Sequence, residues 1–448
     1  IYGFRADRVE QSDNDDLDKC LYRAKWEPTR LKGTRISGSA NLPSPKEVVE
    51  AAYENLQDLY DERGLKDHYA TFMPEMDRVS RQFILNAYHQ LGWAPKVGDR
   101  VSVSEHMRNL AIADQHEKLI YGQMTALIEG GYLKSVGEEE WEVIKEPTFE
   151  DPMPWIDDLE DRLPHFASEA ELQRATGPNL GGVLCGEVDP LEVLFPGGSS
   201  VMMERFYREG ADFPVINEQI KLALAKAVKD LPERRALRVL EVGAGTGSLT
   251  KRILPVFPAD QTEYVFTDNG PLFLQSAQEK FQEDYPFVEY TMFDCEKDPE
   301  SQGINPHHFD IVLASNVIHA TQDLKATLNN LRKCLAPEGL LMFLEVTWRR
   351  APLDNVFGLL GGWWRFSDND LRKRSALLSR KQWEELLTEI DFREVTSFIS
   401  SPNPNEDQQA CLIAKAPNPV ELPEVIEVTD EVAAETVAEV KEELAPPL

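Results

Sequence analysis

The first half of the chain carries apolar residues at helical spacing. A helix is predicted to begin at Ser44, where serine caps the first turn, proline follows it and Glu47 reaches back to the cap. Residues 76–91 predict a second helix, and residues 106–129 predict one or two more, each stretch being ended by glycine. The pattern therefore predicts a mainly helical region.

Short apolar stretches follow these helices. Residues 132–134 and 141–144 flank a turn at Gly137 and predict a small hairpin, which gives the region a winged-helix-like outline. Residues 147–200 are rich in proline, glycine and aspartate, a composition that predicts loops. We therefore expect a mainly helical lid domain with a small hairpin over residues 44–200.

The second half of the chain changes to alternating strands and helices. An amphipathic helix leads into it, with apolar residues at every fourth position from Ile216 to Val228. Apolar strands are predicted, in chain order, at residues 237–242, 264–266, 309–314 and 340–344. Strands that alternate with helices are typical of a doubly wound parallel sheet. We expect a Rossmann-like α/β core over residues 201–415.

The two ends of the chain differ from both halves. Residues 1–43 are polar apart from Cys20, Leu21, Tyr22 and Trp26, which predict a short strand or an anchor segment. Residues 416–448 combine proline with glutamate and predict an acidic, solvated linker. Because the sequence begins at isoleucine rather than methionine, we expect a domain excised from a longer polypeptide.

Composition narrows the class of protein. The chain has 448 residues, of which 42% are hydrophobic, and a net charge of -31. Since phosphate binding needs clustered Lys and Arg, this charge argues against nucleic acid and against an anionic membrane surface. No apolar run reaches the roughly 20 residues of a membrane span. The five cysteines are scattered, which predicts reduced thiols in a cytoplasmic protein and gives no metal-ligand cluster.

The strongest local signal lies where a predicted strand runs into a glycine-rich turn. Gly243, Gly245 and Gly247 follow that strand, and glycine is needed where a ligand approaches the backbone closely. Glu241 stands just before them, where an acid organises the turn or faces a ligand ammonium group. The third glycine follows the second by two residues, not three as in dinucleotide enzymes. These two features predict an S-adenosyl-L-methionine site.

Further residues are assigned to this cofactor site. Asp268 ends the second predicted strand, where a carboxylate binds ribose hydroxyls, and Asp294 follows a probable third strand, where an acid holds the adenine amino group. The alternative for each is a solvated acid at a strand end. Asn316 ends the strand that begins at Phe309, and Tyr207 is expected to close over the cofactor from the lid side.

Two residues are candidates for proton transfer. His319 follows the strand predicted at residues 309–314, and Glu345 ends the strand predicted at residues 340–344, so both lie at the carboxyl edge of the sheet, where ligands bind. A neutral imidazole is a base near physiological pH, and a carboxylate on its other nitrogen fixes the tautomer. The α-carbon of a β-ketoacyl thioester is acidic enough for such a base. The alternative is a helix-capping or core histidine.

Several segments resemble the C-methyltransferase domains of type I polyketide synthases. The similar segments are residues 194–198, 206–208, 237–251, 264–268, 316–321 and 357–364. The resemblance is strong from about residue 190 to 400 and weaker over residues 44–190. The Gly-Trp-Trp and His-Ala-Thr runs are more specific than the glycine turn. One departure is Ser248 after Gly247, where many relatives have a second glycine.

The resemblance implies a function. It implies S-adenosyl-L-methionine-dependent methylation of the α-carbon of a β-ketoacyl chain on the phosphopantetheine arm of an acyl carrier protein, beside other polyketide synthase domains of the same polypeptide. In that family the residues that match His319 and Glu345 serve as base and orienter. Two alternatives stay open, namely an O-methyltransferase acting on a hydroxyl or enol and a catalytically silent structural domain.

Two more expectations concern the substrate. Trp363, Trp364 and Phe366 lie in a glycine-rich segment and are expected to wall the acyl channel, the alternative being a packed core loop. Residues 349–381 gather basic side chains in an acidic chain and are expected to dock the acidic carrier, the alternative being a solvated face. These basic residues are Arg349, Arg350, Arg365, Arg372, Lys373, Arg374, Arg380 and Lys381.

Overall fold

The computed structural model describes residues 2–8, 22–28, 42–231 and 235–417, which fall into two compact units. The first unit contains an antiparallel hairpin of β1 (Tyr2–Arg8) and β2 (Tyr22–Pro28). The strand expected near Tyr22 is therefore present, whereas Cys20 and Leu21 lie outside the described residues. The linker expected over residues 416–448 also lies outside them from residue 418 onward.

All remaining elements belong to the second unit. Its first helices are, in chain order, α1 (Pro45–Ala52), α2 (Leu56–Arg63), α3 (Leu65–Asp67), α4 (Met73–Gln90), α5 (Val103–Asn109), α6 (Glu117–Glu129), α7 (Met153–Arg162), α8 (Ala167–Thr176), α9 (Leu180–Leu184) and α10 (Pro190–Leu194). The helix start at Ser44 is confirmed, because its hydroxyl accepts a hydrogen bond from the amide of Glu47 while the Glu47 carboxylate accepts one from the amide of Ser44. The helices predicted over residues 76–91 and 106–129 correspond to α4 and to α5 with α6.

A small antiparallel sheet accompanies these helices. It consists of β3 (Arg100–Ser102), β4 (Leu133–Ser135) and β5 (Glu140–Val143), in the order β3-β5-β4. The hairpin of β4 and β5 confirms the prediction. The third strand was missed because three residues are too few to show an alternating pattern.

The expectation of loops over residues 147–200 is wrong, because α7 to α10 occupy much of this stretch. Proline was the misleading signal. Pro154 and Pro190 sit in the first turns of α7 and α10, where the missing N–H breaks no helical hydrogen bond. Short helices that begin with proline therefore look like loops in composition.

The core is a mixed seven-stranded sheet. Its strands are β6 (Leu237–Val242), β7 (Thr262–Asp268), β8 (Val288–Met292), β9 (Phe309–Ser315), β10 (Leu335–Val346), β11 (Arg393–Ile399) and β12 (Gln409–Lys415). They lie in the order β11-β12-β10-β9-β6-β7-β8. The strands from β10 to β8 are parallel, and β12 pairs antiparallel with β10 and β11. The predicted doubly wound parallel sheet is confirmed and extended by β11 and β12.

Helices cover both faces of this sheet, which explains why its strands read as continuous apolar runs. The core helices are α11 (Val201–Glu209), α12 (Phe213–Val228), α13 (Ser248–Ile253), α14 (Pro271–Phe281), α15 (Leu324–Cys334), α16 (Ala351–Asp354) and α17 (Arg380–Glu389). On β6, Val239 packs with α12 to α14 on one face, and Leu240 packs with α15 and α17 on the other.

The boundary between lid and core follows the packing of α1. Val48 and Ala52 of α1 join the apolar cluster of Ile216 on α12 and Phe398 on β11. The structure thus places α1 with the core, although we expected the lid to begin at residue 44. Among the described helices, none combines the length and apolar character needed to cross a membrane.

Candidate active site

The glycine turn joins β6 to α13 at the carboxyl edge of the sheet. Gly243 has a φ of +60°, and a Cβ there would lie 2.4 Å from Cγ2 of Val317. Gly247 has a φ of +74°, and its Cβ would lie 2.7 Å from the ring of Phe281. Both positions therefore need glycine on conformational and steric grounds.

Glu241 is buried beneath this turn. Its carboxylate accepts hydrogen bonds from the hydroxyl of Thr250 at 2.8 Å and from the phenol of Tyr264 at 2.6 Å. Burial raises the pKa of Glu241 to about 7, although both hydrogen bonds oppose the shift. Of the two roles expected for this acid, these contacts support organisation of the turn.

A cavity of about 290 Å³, here called the glycine-loop cavity, opens above the turn. Residues along its wall include Tyr207, Asn217, Glu241, Gly243, Ala244, Gly245, Thr246, Ser315, Asn316 and Val317. Sequence reasoning missed Asn217, whose buried Oδ1 has no hydrogen-bond partner within the described parts of the chain. The one signal for it was an amide beside the apolar stripe of α12. The glycine turn leaves room for a ligand close to the backbone. The unpartnered Oδ1 of Asn217 suits a cationic amino group on that ligand.

Three residues expected at the cofactor site do not line this cavity. Gly247 starts α13. Asp268 ends β7 and accepts hydrogen bonds from the amides of Gly245 at 3.0 Å and Gly270 at 2.7 Å. Asp294 follows β8, accepts a hydrogen bond from the amide of Glu296 and forms an ion pair with Lys297 at 3.1 Å. Contact of these residues with the cofactor stays a prediction.

The structure brings His319 and Glu345 together. His319 lies in the short helical turn Ile318–Ala320, named the His319 turn, and Glu345 lies near the end of the adjacent strand β10. The imidazole Nδ1 is hydrogen-bonded to Oε2 of Glu345, and both side chains are buried. Oε1 of the same carboxylate accepts a hydrogen bond from the amide of Ile318 at 2.8 Å. Since the carboxylate accepts the Nδ1 proton, the lone pair of the ring is left on Nε2.

Arg372 fixes the His319 turn from the opposite side. Its guanidinium is buried, donates to the carbonyls of His319 at 2.7 Å and Thr321 at 2.8 Å, and pairs with Asp368 at 2.7 Å. The carbonyl of Gln322 accepts a further hydrogen bond from it at 3.2 Å. Arg372 therefore positions the loop that carries the histidine.

His319 borders a second cavity of about 310 Å³, here called the histidine cavity. Its wall is mostly apolar, with Leu172, Leu353, Val356 and Leu360, and it draws on α4, α8, α11 and the segment after β10. Residues that line both cavities are Tyr207, Phe213, Asn316, Phe357 and Leu360. The two cavities therefore share a wall beside His319.

Tyr207 stands on this shared wall as a neutral phenol. Burial raises its pKa to about 12, and the nearby charge of Glu345 adds to the shift. Its ring packs edge-on against Phe206 and Phe213. The position suits the lid-side closure that we expected of it.

The expected channel aromatics separate in the structure. Trp363 lines the histidine cavity, meets the ring of His319 at 5.1 Å between centroids and stacks on Phe357. Trp364 instead donates its indole N–H to the carbonyl of Gly358 at 2.7 Å, and with Phe366 it packs into the lid core. For these two residues the structure supports the alternative of a packed core loop.

Six arginines of the basic segment 349–381 form ion pairs. Arg350 and Arg372 are buried. The pairs are Arg349 with Asp354, Arg350 with Asp77, Arg365 with Glu296, Arg372 with Asp368, Arg374 with Glu139 and Arg380 with Asp407. Lys373 and Lys381 are exposed, and docking of a carrier on this segment stays a prediction.

Among the described residues, no group of three or more His, Cys, Asp or Glu side chains is arranged to hold a metal ion.

Comparison with known proteins agrees with this geometry. A family model described as a methyltransferase domain matches residues 240–341. The crystal structure of the CurJ carbon methyltransferase is 34% identical with a TM-score of 0.77, covering 83% of this chain and 99% of that one. The citrinin polyketide synthase CMeT domain is 28% identical with a TM-score of 0.75, covering 86% and 100%. The non-reducing polyketide synthase AC of Didymella fabae is 30% identical over 410 residues, 89% of this chain.

Fold and site together define a class I methyltransferase that uses S-adenosyl-L-methionine. Within that class the chain belongs to the carbon methyltransferase domains of polyketide synthases. It spans 15% of the length of the Didymella fabae enzyme.

Proposed function

We propose that this chain methylates the α-carbon of a β-ketoacyl chain carried on an acyl carrier protein, with His319 as general base and Glu345 as its orienter. The observation that carries the proposal is the buried His319–Glu345 pair, because His319 lines the histidine cavity beside the wall that this cavity shares with the glycine-loop cavity. A base in a mostly apolar cavity next to a cofactor pocket suits carbon–carbon bond formation on an acyl chain.

The proton transfer follows from the tautomer. Glu345 holds the Nδ1 proton of His319, so Nε2 accepts the α-proton of the substrate. The buried carboxylate then stabilises the imidazolium that results. The mostly apolar wall excludes water, which favours attack by carbon over proton return.

The glycine-loop cavity is proposed to hold the cofactor, which supplies an electrophilic methyl group when bound. Gly243 and Gly245 allow close approach of the ligand to the backbone, and the unpartnered Oδ1 of Asn217 suits its ammonium group. Asp268, at the end of β7, is proposed to bind the ribose, and Asp294, after β8, the adenine amino group. Tyr207 is proposed to cover the cofactor from the lid side.

The remaining proposals concern context. Because the polyketide synthase that it matches is several times longer, neighbouring domains of the same polypeptide and the phosphopantetheine arm of a carrier are the proposed partners. The described cysteines are free thiols, which suits the cytoplasmic location that we propose.

The test uses mass spectrometry of a carrier-bound β-ketoacyl chain incubated with S-adenosyl-L-methionine. Wild type is expected to add a methyl group to the α-carbon, and His319→Ala to lower the rate about a thousandfold, within the range for a general base. Calorimetric titration with S-adenosylhomocysteine is the control, since the variant should bind it as wild type does. Methylation undiminished in His319→Ala would overturn the mechanism, and methylation of oxygen would overturn the assignment of the acceptor atom.

A further inference from the structure

Asn316 occupies an unusual position on the wall shared by the two cavities. It follows β9 with a φ of +53°, a conformation that asparagine tolerates better than most residues. Its amide N–H donates to the carbonyl of Leu344 at 2.7 Å, which holds the backbone beside Glu345. Asn316 thus borders both cavities.

The orientation of the Asn316 amide is set by its neighbours. Oδ1 accepts a hydrogen bond from the amide of Val346 at 3.0 Å, and a backbone N–H can only donate. The NH2 group must therefore face the other way, where it donates to Oε1 of Gln409 at 3.5 Å. One N–H of Asn316 then has a partner in the protein and the other is left for a ligand.

Gln409 is oriented in turn from the far end. Its Nε2 donates to Oδ1 of Asp212 at 2.5 Å, so its own oxygen must face Asn316. Oδ2 of Asp212 accepts from the hydroxyl of Ser400 at 2.8 Å. Burial raises the pKa of Asp212, and the bonds from Ser400 and Gln409 oppose that shift. A donor at one end and an acceptor at the other fix both amides between them.

We propose that Asn316 donates its second N–H to the oxygen of the substrate enolate, and that Gln409 and Asp212 hold it in that orientation. The inference rests on the proposed function, because an enolate forms only if carbon is the nucleophile. It gives Asn316 a catalytic role in place of the cofactor contact expected from the sequence. Gln409 and Asp212 are positioning residues.

The chemistry balances without a further reactant. Nε2 of His319 takes the α-proton, and the carbon–hydrogen electron pair becomes the enolate, with negative charge on the oxygen that faces Asn316. The α-carbon then bonds to the methyl carbon, and the methyl–sulfur bond breaks with its electron pair left on sulfur. The charge on oxygen disappears as the carbonyl reforms. A donor aimed at that oxygen therefore lowers the barrier to enolate formation, the step in which the negative charge develops.

The first variant is Asn316→Asp, which keeps an acceptor for Val346 and removes the donor. We expect kcat for the carrier-bound substrate to fall about 100-fold, the typical effect of losing one such donor. The Kd for S-adenosylhomocysteine should stay within about threefold, because transition-state stabilisation is not ground-state cofactor binding. Asn405→Asp is the matched control, since Asn405 is exposed away from both cavities.

A second set of variants tests the orientation. Asp212→Asn leaves one acceptor and one donor where two acceptors stood, which removes the fixed orientation of Gln409, and we expect kcat to fall about tenfold. Adding Gln409→Glu restores an acceptor beside Asn316, because the amide N–H of position 212 then donates to the new carboxylate. The double variant should return to within about threefold of wild type. If Asp212 and Gln409 have only a structural role, the losses of kcat from the two substitutions should add. That result would refute the proposed orientation of Asn316 by Gln409 and Asp212.

The experiments distinguish failure of the proposed methylation from failure of the proposed role of Asn316. Wild type that yields no α-methyl product would refute the proposed function and this inference with it. Active wild type with an unimpaired Asn316→Asp, or with parallel losses of kcat and cofactor affinity, would refute the inference alone. Should Asn316→Asp fail to fold by thermal melting, the Asp212 and Gln409 variants decide.

Discussion

The two cavities share a wall but are built in different ways. The largest continuous part of the glycine-loop cavity wall comes from one short stretch of chain, the end of β6 and the turn into α13, and most of the rest comes from α11, α12 and the segments after β9 and β10. The histidine cavity has no such continuous stretch and gathers α4, α8, α11, the segment after β10 and the start of β12, which are far apart in sequence. The glycine-loop cavity therefore depends in part on local backbone geometry, whereas the histidine cavity depends on how distant elements pack.

Arg372→Met has the largest expected effect. It tests the part of the structure that depends on contacts between segments far apart in sequence. Arg372→Met leaves Asp368 buried without its cation and frees two carbonyls near His319, so the free energy of unfolding should fall by about 3 kcal/mol. Urea unfolding measures it. Lys373→Met is the control, because Lys373 is exposed and should change stability by less than about 0.5 kcal/mol. Equal losses in both variants would contradict the role of Arg372.

The pH dependence of stability tests the environment of Glu241 beneath the glycine turn. Its pKa of about 7 in the folded chain lies above the ordinary 4.5, so the folded state binds its proton more tightly. The stabilisation is fully present below pH 4.5 and is lost as pH rises through about 7. The difference corresponds to about 3 kcal/mol, reduced by any relaxation of the site. Urea unfolding at pH 5 and pH 8 should show a smaller decline in Glu241→Gln than in wild type, and identical declines would refute the assignment.

A substitution at Gly243 tests whether the glycine-loop cavity, and not the histidine cavity, binds the cofactor. Gly243→Ala places a Cβ against Val317 at a φ of +60°, which should weaken S-adenosylhomocysteine binding about thirtyfold, or about 2 kcal/mol. Gly361→Ala is the matched control beside the histidine cavity, where a Cβ meets no atom within 4 Å. Calorimetry compares them. Equal weakening of S-adenosylhomocysteine binding by both variants would contradict a specific role of the glycine turn in cofactor binding.

The smallest effect concerns Trp363. Trp363→Ala removes the ring that packs on His319 and Phe357 and should raise KM for the carrier-bound substrate about tenfold, while cofactor affinity stays unchanged. Trp348→Ala, at an exposed tryptophan, should change neither quantity. Loss of cofactor affinity in Trp363→Ala would contradict the assignment of Trp363 to substrate binding alone.

Much of the fold was predictable because its signals are local. The sheet strands are buried on both faces and read as apolar runs, and the cap at Ser44 and the amphipathic α12 follow from short patterns. The loops expected over residues 147–200 were wrong for a local reason too, because proline in a first helical turn has the composition of a loop. Strands β11 and β12 escaped prediction, and β11 gives no continuous apolar run because it begins with exposed polar residues.

The sequence by itself determined the glycine turn, the sheet and the candidate pair His319 and Glu345, because each depends on residues close together or on the fixed rule that ligands bind at strand ends. Tertiary packing was needed to learn which aromatic faces the histidine cavity, which acids pair with the arginines, and that Asn217 and the chain from Asp212 to Asn316 lie at the two cavities. Hydrogen bonds made by the residues of that chain join residues 93 and 188 positions apart. They depend on the packing of whole elements, which no local pattern of side chains records.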